Sequence, residues 1–284
     1  MKIILLIALS TSLFGEFYES IHSSISTYYE DKSYSNSKQK TSGRTYGVAG
    51  DLHYKNSEYK FAYENAKAIT VKPPLSKDLE MQKIFLKYAY AFDGGLGVNV
   101  NYLSVLDDNI AITDGGKAYG FGATYKFAKR ASLNFTQFHT DYEDFDVEQS
   151  DMKIAFKVKF DSLKLKLGAI AKYIKIDDNN VNAYTKNANS SYLTSGIQAH
   201  LNYVSYHLGA GAYFGKRAFA IMDDGFKVQH HAMEFDRTYA LGFGKNIDAL
   251  ALRFQYIYLR ATELPIQNSN VTIRTIRLVA TYKF

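Results

Sequence analysis

The chain has 284 residues, a formal net charge of +6, no Cys, no Trp and three Pro, against 24 Tyr and 19 Phe. The missing Cys excludes disulfides and thiolate metal centres, and a composition rich in aromatics and poor in Pro favours strands over helices or disorder. A mean hydropathy of −0.24, with no internal apolar run of about 18 residues, excludes a transmembrane helix but not a membrane barrel, where only alternate residues face lipid.

Residues 1–15 begin with Lys2, continue with the apolar run Ile3-Ile4-Leu5-Leu6-Ile7-Ala8-Leu9 and leave through Ser10-Thr11-Ser12-Leu13-Phe14-Gly15. One positive charge, a short apolar core and a small-residue exit form the layout of a cleaved secretory signal peptide. Residues 16–284 are then the folded unit.

Beyond residue 15 the chain alternates. Met152, Ile154, Phe156, Val158 and Phe160 are interleaved with Lys153, Ala155, Lys157 and Lys159. The pattern returns in Leu163-Leu165-Leu167-Ala169-Ala171-Tyr173, set against Lys164, Lys166, Gly168 and Lys172. Side chains on a strand point alternately to opposite faces, so one face is apolar and the other basic. The period predicts fourteen strands, over 17–30, 43–54, 58–69, 79–92, 96–106, 116–127, 131–142, 149–160, 163–176, 190–203, 206–216, 232–243, 249–262 and 271–284.

The connectors also alternate. Lys55-Asn56-Ser57, Asp93-Gly94-Gly95, Ala128-Lys129-Arg130, Asp161-Ser162, Val204-Ser205 and 244–248 are short. Those at 31–42, 70–78, 107–115, 143–148, 177–189, 217–231 and 263–270 are mostly longer and more polar. Strands that enter short connectors end on an aromatic of the apolar face, at Tyr54, Phe92, Phe127, Phe160, Tyr203, Phe243 and the terminal Phe284. Rings there suit a membrane interface. The fold class is therefore all-β, a transmembrane antiparallel up-and-down β-barrel of fourteen strands. A propeller blade would hold four strands in the length that here holds two.

The ending Leu278-Val279-Ala280-Thr281-Tyr282-Lys283-Phe284 resembles the C-terminal signature of Gram-negative outer-membrane proteins, a terminal Phe preceded by alternating apolar or aromatic residues. The resemblance implies the cell outer membrane, contact with its lipid and lipopolysaccharide, and recognition of the last strand by the barrel-assembly machinery. In length and strand count the chain is similar to monomeric porins of the outer-membrane protein G type.

If the apolar face meets lipid, the other lines a lumen too wide for side chains to fill. The inward set is basic: Lys60, Lys83, Lys87, Lys117, Lys126, Lys153, Lys157, Lys159, Lys164, Lys166, Lys172, Arg217, Arg253, Arg277 and Lys283, against Asp51, Glu64 and Asp236. Such a lining lowers the energy of anions and predicts a diffusion channel for small hydrophilic solutes, with anion preference. The competing view is a solvated, unselective wall, since salt screens charges beyond about 8–10 Å.

The longer connectors instead carry Asp107-Asp108, Asp141, Glu143-Asp144, Asp146, Glu148, Asp177-Asp178 and Asp223-Asp224. These form an expected acidic rim, open to divalent or lipopolysaccharide-bridging ions, although the spacing matches no calcium loop and no dedicated metal site is expected. Segment 217–231 is expected to fold inward and narrow the pore, or to gate it through His230 and His231. An enzyme would need more than His139-Thr140-Asp141 or that His pair, because no Ser stands in a His-x-Ser pattern beside His139. A transporter for hydrophobic compounds would need an N-terminal plug, for which no length remains. A structural surface protein would need larger loops. No cofactor is expected, and Lys spread along strands argues against nucleic acid.

Overall fold

A computed structural model describes residues 21–72, 75–107, 113–128, 130–177, 185, 187–229 and 232–284. The signal segment 1–15, Asp108, Asp178, His230 and His231 lie outside the described residues. The strands are β1 (Ile21–Ser35), β2 (Lys40–Tyr54), β3 (Ser57–Thr70), β4 (Leu79–Ala91), β5 (Leu96–Asp107), β6 (Lys117–Ala128), β7 (Ala131–Asp141), β8 (Asp146–Phe160), β9 (Leu163–Ile176), β10 (Ser191–Tyr203), β11 (Tyr206–Arg217), β12 (Ile221–Met222), β13 (Lys227–Val228), β14 (Met233–Ile247), β15 (Leu250–Glu263) and β16 (Asn268–Lys283). Fourteen of them close one antiparallel barrel, each beside its chain neighbour. The short pair β12–β13 is a separate hairpin inside the β11–β14 connection. Closure runs through β1 and β16, in register from Ser24↔Lys283 to Ser35↔Thr272. It leaves no open edge, as a bilayer requires.

The connectors define a turn end and a loop end. Lys55, Asp161, Val204 and Asp248 each take a positive φ (45° to 53°) at the start of a turn-end hairpin link, the left-handed geometry that lets strands reverse within two residues. Three predicted loops are shorter than expected, with links of only 36–39, 142–145 and 264–267. Strands β1 and β2 continue through the predicted connector because Glu30, Lys32 and Tyr34 point inward there. Lys32 pairs with Glu30 at 3.0 Å and donates to Thr45 at 2.9 Å. Similarly, β14 runs on to Ile247, so Phe243 lies within the strand rather than at its end.

Outward positions form an apolar belt, with Phe121, Leu193, Ile197 and Leu241 all at least 60% exposed. So large an exposed apolar surface is costly in water and fitting in lipid. The packed core lies inside the barrel and only in its loop-end half. Along β9 the inward Ile176, Ile174 and Lys172 are buried, whereas Lys166 and Lys164 are exposed. Along β8 the inward Val147, Gln149 and Asp151 are buried, whereas Lys157 and Lys159 are exposed.

Large inward rings at the loop-end half lie over glycines of the neighbouring strand. Tyr28 covers Gly47, and a Cβ added there would meet the ring at 2.1 Å. The ring is held by its hydroxyl, which donates to Glu64 at 2.6 Å, and by the Arg277 guanidinium 4.4 Å from its centroid. Gly47→Val is expected to expel Tyr28 and to cost about 1–3 kcal/mol through overpacking. Denaturant unfolding in lipid vesicles measures this; an unchanged midpoint would mean that the ring moves freely.

Candidate functional site

The lumen has two parts, divided by the chain between β11 and β14. After Arg217 the apolar run Ala218-Phe219-Ala220-Ile221-Met222 turns into the barrel and is buried. A single 3-10 turn, Asp223–Gly225, reverses it with Asp223 and Asp224 at positive φ. Ile221 is fixed to the wall from two strands. Gln149 Nε2 donates to its carbonyl at 2.7 Å, Gln149 Oε1 accepts from its N–H at 2.8 Å, and Lys172 donates to the same carbonyl at 3.0 Å. Phe226 packs against Phe85 (5.7 Å, edge-on) and Tyr28 (6.1 Å).

Buried charges frame this segment. Lys172 pairs with Asp151, and Lys83 with Glu64 at 3.0 Å. Glu30 pairs with Lys32 at 3.0 Å and with Lys227 of the hairpin at 2.8 Å, and the Arg277 guanidinium lies 3.4 Å from it. These buried ions are thus matched by partners of opposite charge, as a low-dielectric site favours. A cavity of about 170 Å³ remains between the hairpin and β1–β4, bounded by Glu30, Lys32, Glu64, Lys83 and Lys227. Asp223 and Asp224, expected on the outer rim, lie inside instead, drawn in by the buried run before them. Asp224 approaches Lys153 at 3.3 Å.

Below this seat is a basic vestibule open at the turn end. Lys87, Lys157, Lys159, Lys164, Lys166 and Arg253 point into it and form no ion pair among the described residues, unlike Lys153, Lys172 and Arg277. Lys126 stands at a register shift on the turn-end rim, and Lys283 faces inward on β16. Lys60 is neutralised by Glu58 (2.7 Å) and Asp51 (3.3 Å). Arg217 is fully buried between the rings of Tyr213 and Phe235 and donates to Thr238.

Two predicted lumen residues are placed otherwise. Lys117 pairs across with Ser104 and Asp141 and shares the outward face of Tyr119 and Phe121, because strand parity carries it there. Asp236 falls at the register shift between Phe235 and Arg237, and its carboxylate lies 3.7 Å from the outward Arg260. Tyr54, Phe92, Phe160, Tyr203, Phe243 and Phe284 are on the outward face towards the turn end, with Phe127 beside the bulge. Several touch a second ring, as Phe284 does Tyr282 at 5.1 Å.

His139 faces outward, and its Nδ1 is 2.6 Å from Glu148. Ser150 bonds to Gln137 rather than to this imidazole. Asp51, His53 and Glu58 converge at the turn end, with His53 Nε2 2.8 Å and 3.4 Å from the two carboxylates. The Lys60 ammonium already occupies the position a cation would take there.

No family model matches the chain, and no curated protein matches it. Solved structures do. The toluene transporter TbuX of Ralstonia pickettii aligns at 10% identity and a TM-score of 0.56, over 93% of this chain and 89% of that one. A bacterial polysaccharide outer membrane secretin aligns at 8% identity and 0.53, over 94% and 99%. The outer membrane protein Omp33 of Acinetobacter baumannii aligns at 10% identity and 0.51, over 93% and 99%. The fold is that of a porin-type outer-membrane β-barrel. Identities this low carry the architecture and leave the lumen chemistry to the residues themselves.

Proposed function

We propose that the chain is an outer-membrane channel for small hydrophilic solutes, with a basic, anion-preferring vestibule on the periplasmic side and a constriction made by residues 218–229. The observation that carries this reading is the set of inward, solvent-exposed and unpaired cations Lys157, Lys159, Lys164, Lys166 and Arg253. Short turns lie on the periplasmic side of such barrels, which orients the vestibule. The aromatics from Tyr54 to Phe284 then lie at the periplasmic membrane interface, against lipid, while the acidic loops meet lipopolysaccharide. Export by residues 1–15 and assembly through the last strand belong to the same reading. That strand closes with the Phe284 N–H donating to Ser23 at 2.9 Å.

Transport of hydrophobic compounds has less support. The apolar groove of about 580 Å³ at Leu201, Leu208, Leu241, Phe243 and Phe254 lies on the outer wall, whereas the inner wall at that level carries Gly209, Gly242 and Gly244. Neither the outward His139–Glu148 pair nor the Lys-occupied Asp51–His53–Glu58 group supplies an activated nucleophile, so the reading is not enzymatic.

Reversal potential in a salt gradient across a planar bilayer tests the proposal. The refolded protein is expected to prefer chloride, and Lys157→Glu with Lys164→Glu to move the reversal potential towards cation preference. A correctly folded barrel that carries no current would overturn the channel reading, and an unmoved reversal potential would overturn the basic-vestibule part of it.

A further inference from the structure

The vestibule has a feature that general anion preference does not require. Lys157 is directly opposite Lys166, and Lys159 directly opposite Lys164, on adjacent strands and the same face. Side chains so placed start about 4.5–5.5 Å apart, and like charges there destabilise a sheet. Elsewhere on the inner wall such cations are offset: three inward pairs higher on β8 and β9, Asp151 faces Lys172, and where Lys60 faces Lys87 across β3–β4, Lys60 is held by Glu58 and Asp51. None of these four lysines forms an ion pair among the described residues.

The register extends the patch sideways. Lys166 is opposite His200, and Lys164 opposite Asn202, which is opposite His207. All are inward donors or titratable groups, and no inward carboxylate stands in either row from β8 to β11. Beyond them Gly209, Gly242 and Gly244 carry no side chain of their own, and Gln255 and Arg253 lie over Gly242 and Gly244, so this stretch of wall adds the Arg253 cation and no acid. The inward segment itself places an anion on this wall: the Asp224 carboxylate lies on Lys153, two inward positions above Lys157 on β8.

We infer that the two facing lysine pairs form a binding site for a compact soluble polyanion, one that presents three or more adjacent phosphate or carboxylate charges from the periplasmic side. The inference rests on the channel reading for its sidedness and on register alone for its geometry. One ammonium attracts any anion weakly in water. Four within reach of one another favour a ligand whose charges are covalently joined, because the second and third contacts cost no further loss of translational freedom.

Isothermal titration of the refolded full chain with inorganic tripolyphosphate, citrate and orthophosphate tests the site without needing current. Saturable binding of tripolyphosphate or citrate is expected, at least tenfold tighter than orthophosphate, with the stronger of the two identifying the phosphate or carboxylate class. Lys157→Gln with Lys166→Gln is expected to weaken it tenfold or more. Lys126→Gln with Lys283→Gln, which removes the same charge elsewhere around the turn end, is expected to change it less than twofold. Equal losses in the two double variants would overturn the site and leave a diffuse basic field. Absence of saturable binding would overturn it as well. Current measured in parallel separates the two readings: a conducting, anion-preferring barrel without tripolyphosphate or citrate binding keeps the channel and loses the site.

Discussion

Excising Phe219–Gln229 and bridging the gap with a short Gly-Ser link raises the single-channel conductance severalfold while the barrel still folds. The wall does not depend on this segment for closure: all fourteen long strands pair with their neighbours by backbone hydrogen bonds, and the β12–β13 hairpin joins none of them. What the segment does is fill the loop-end half of the lumen. Phe219, Ala220 and Met222 pack with Tyr142, Phe145, Ile174 and Tyr192, while Ile221 and Val228 pack with Phe85, Leu103 and Phe138. Removing them exposes that inner wall to water, a loss of apolar burial that weakens the barrel without opening an edge. The buried ions left behind, Lys172 with Asp151 and Lys83 with Glu64, keep their partners on the wall and become hydrated. Conductance measured before and after excision decides the matter. An unchanged value would place the permeation path outside the lumen, or would require the segment to lie elsewhere in the membrane-bound protein.

That inward segment was only half legible in the sequence. Alternation at Leu163–Tyr173 and Met152–Phe160, with Lys on the other face, is enough to draw the barrel, since period and parity are local properties. The length of the connector at 217–231 suggested an inward fold. Its sharper signal is the apolar run Ala218–Met222 inside an otherwise polar link, matched by strand ends that are apolar on the inward face too: Val147 on β8, Ile174 and Ile176 on β9, Leu103 and Val105 on β5. A strand with no polar face is covered on both sides, so these positions already imply a lid within the barrel. The ends of β1 and β2 were hidden for the opposite reason. Glu30-Asp31-Lys32-Ser33 is polar on both faces, and it is a strand through its backbone pairing with β2 and β16, its inward Glu30 covered by Lys227 and Arg277. Pairings between residues so far apart in the chain leave no periodic trace. Nor does a bulge announce itself, which is why Asp236 changed face.

Lys172→Met is expected to destabilise the barrel by about 3–5 kcal/mol, more than any single change in the vestibule, because it leaves the Asp151 carboxylate buried without its cation. Asp151 is only 4% exposed, and its remaining donor, Gln149 Nε2 at 2.8 Å, is shared with the Ile221 carbonyl. The effect reaches the constriction, since Lys172 also donates to that carbonyl. The variant should therefore unfold at lower denaturant and show larger, noisier open-channel current at once. Replacing both partners, Asp151→Leu with Lys172→Met, removes the orphaned charge and is expected to recover most of the stability. It would not recover the quiet current, because the anchor to Ile221 is still missing. That dissociation is the informative result. Recovery of both properties would mean that the ion pair holds the segment only through the wall's stability. Recovery of neither would mean that the two side chains contribute independently and that their pairing is incidental.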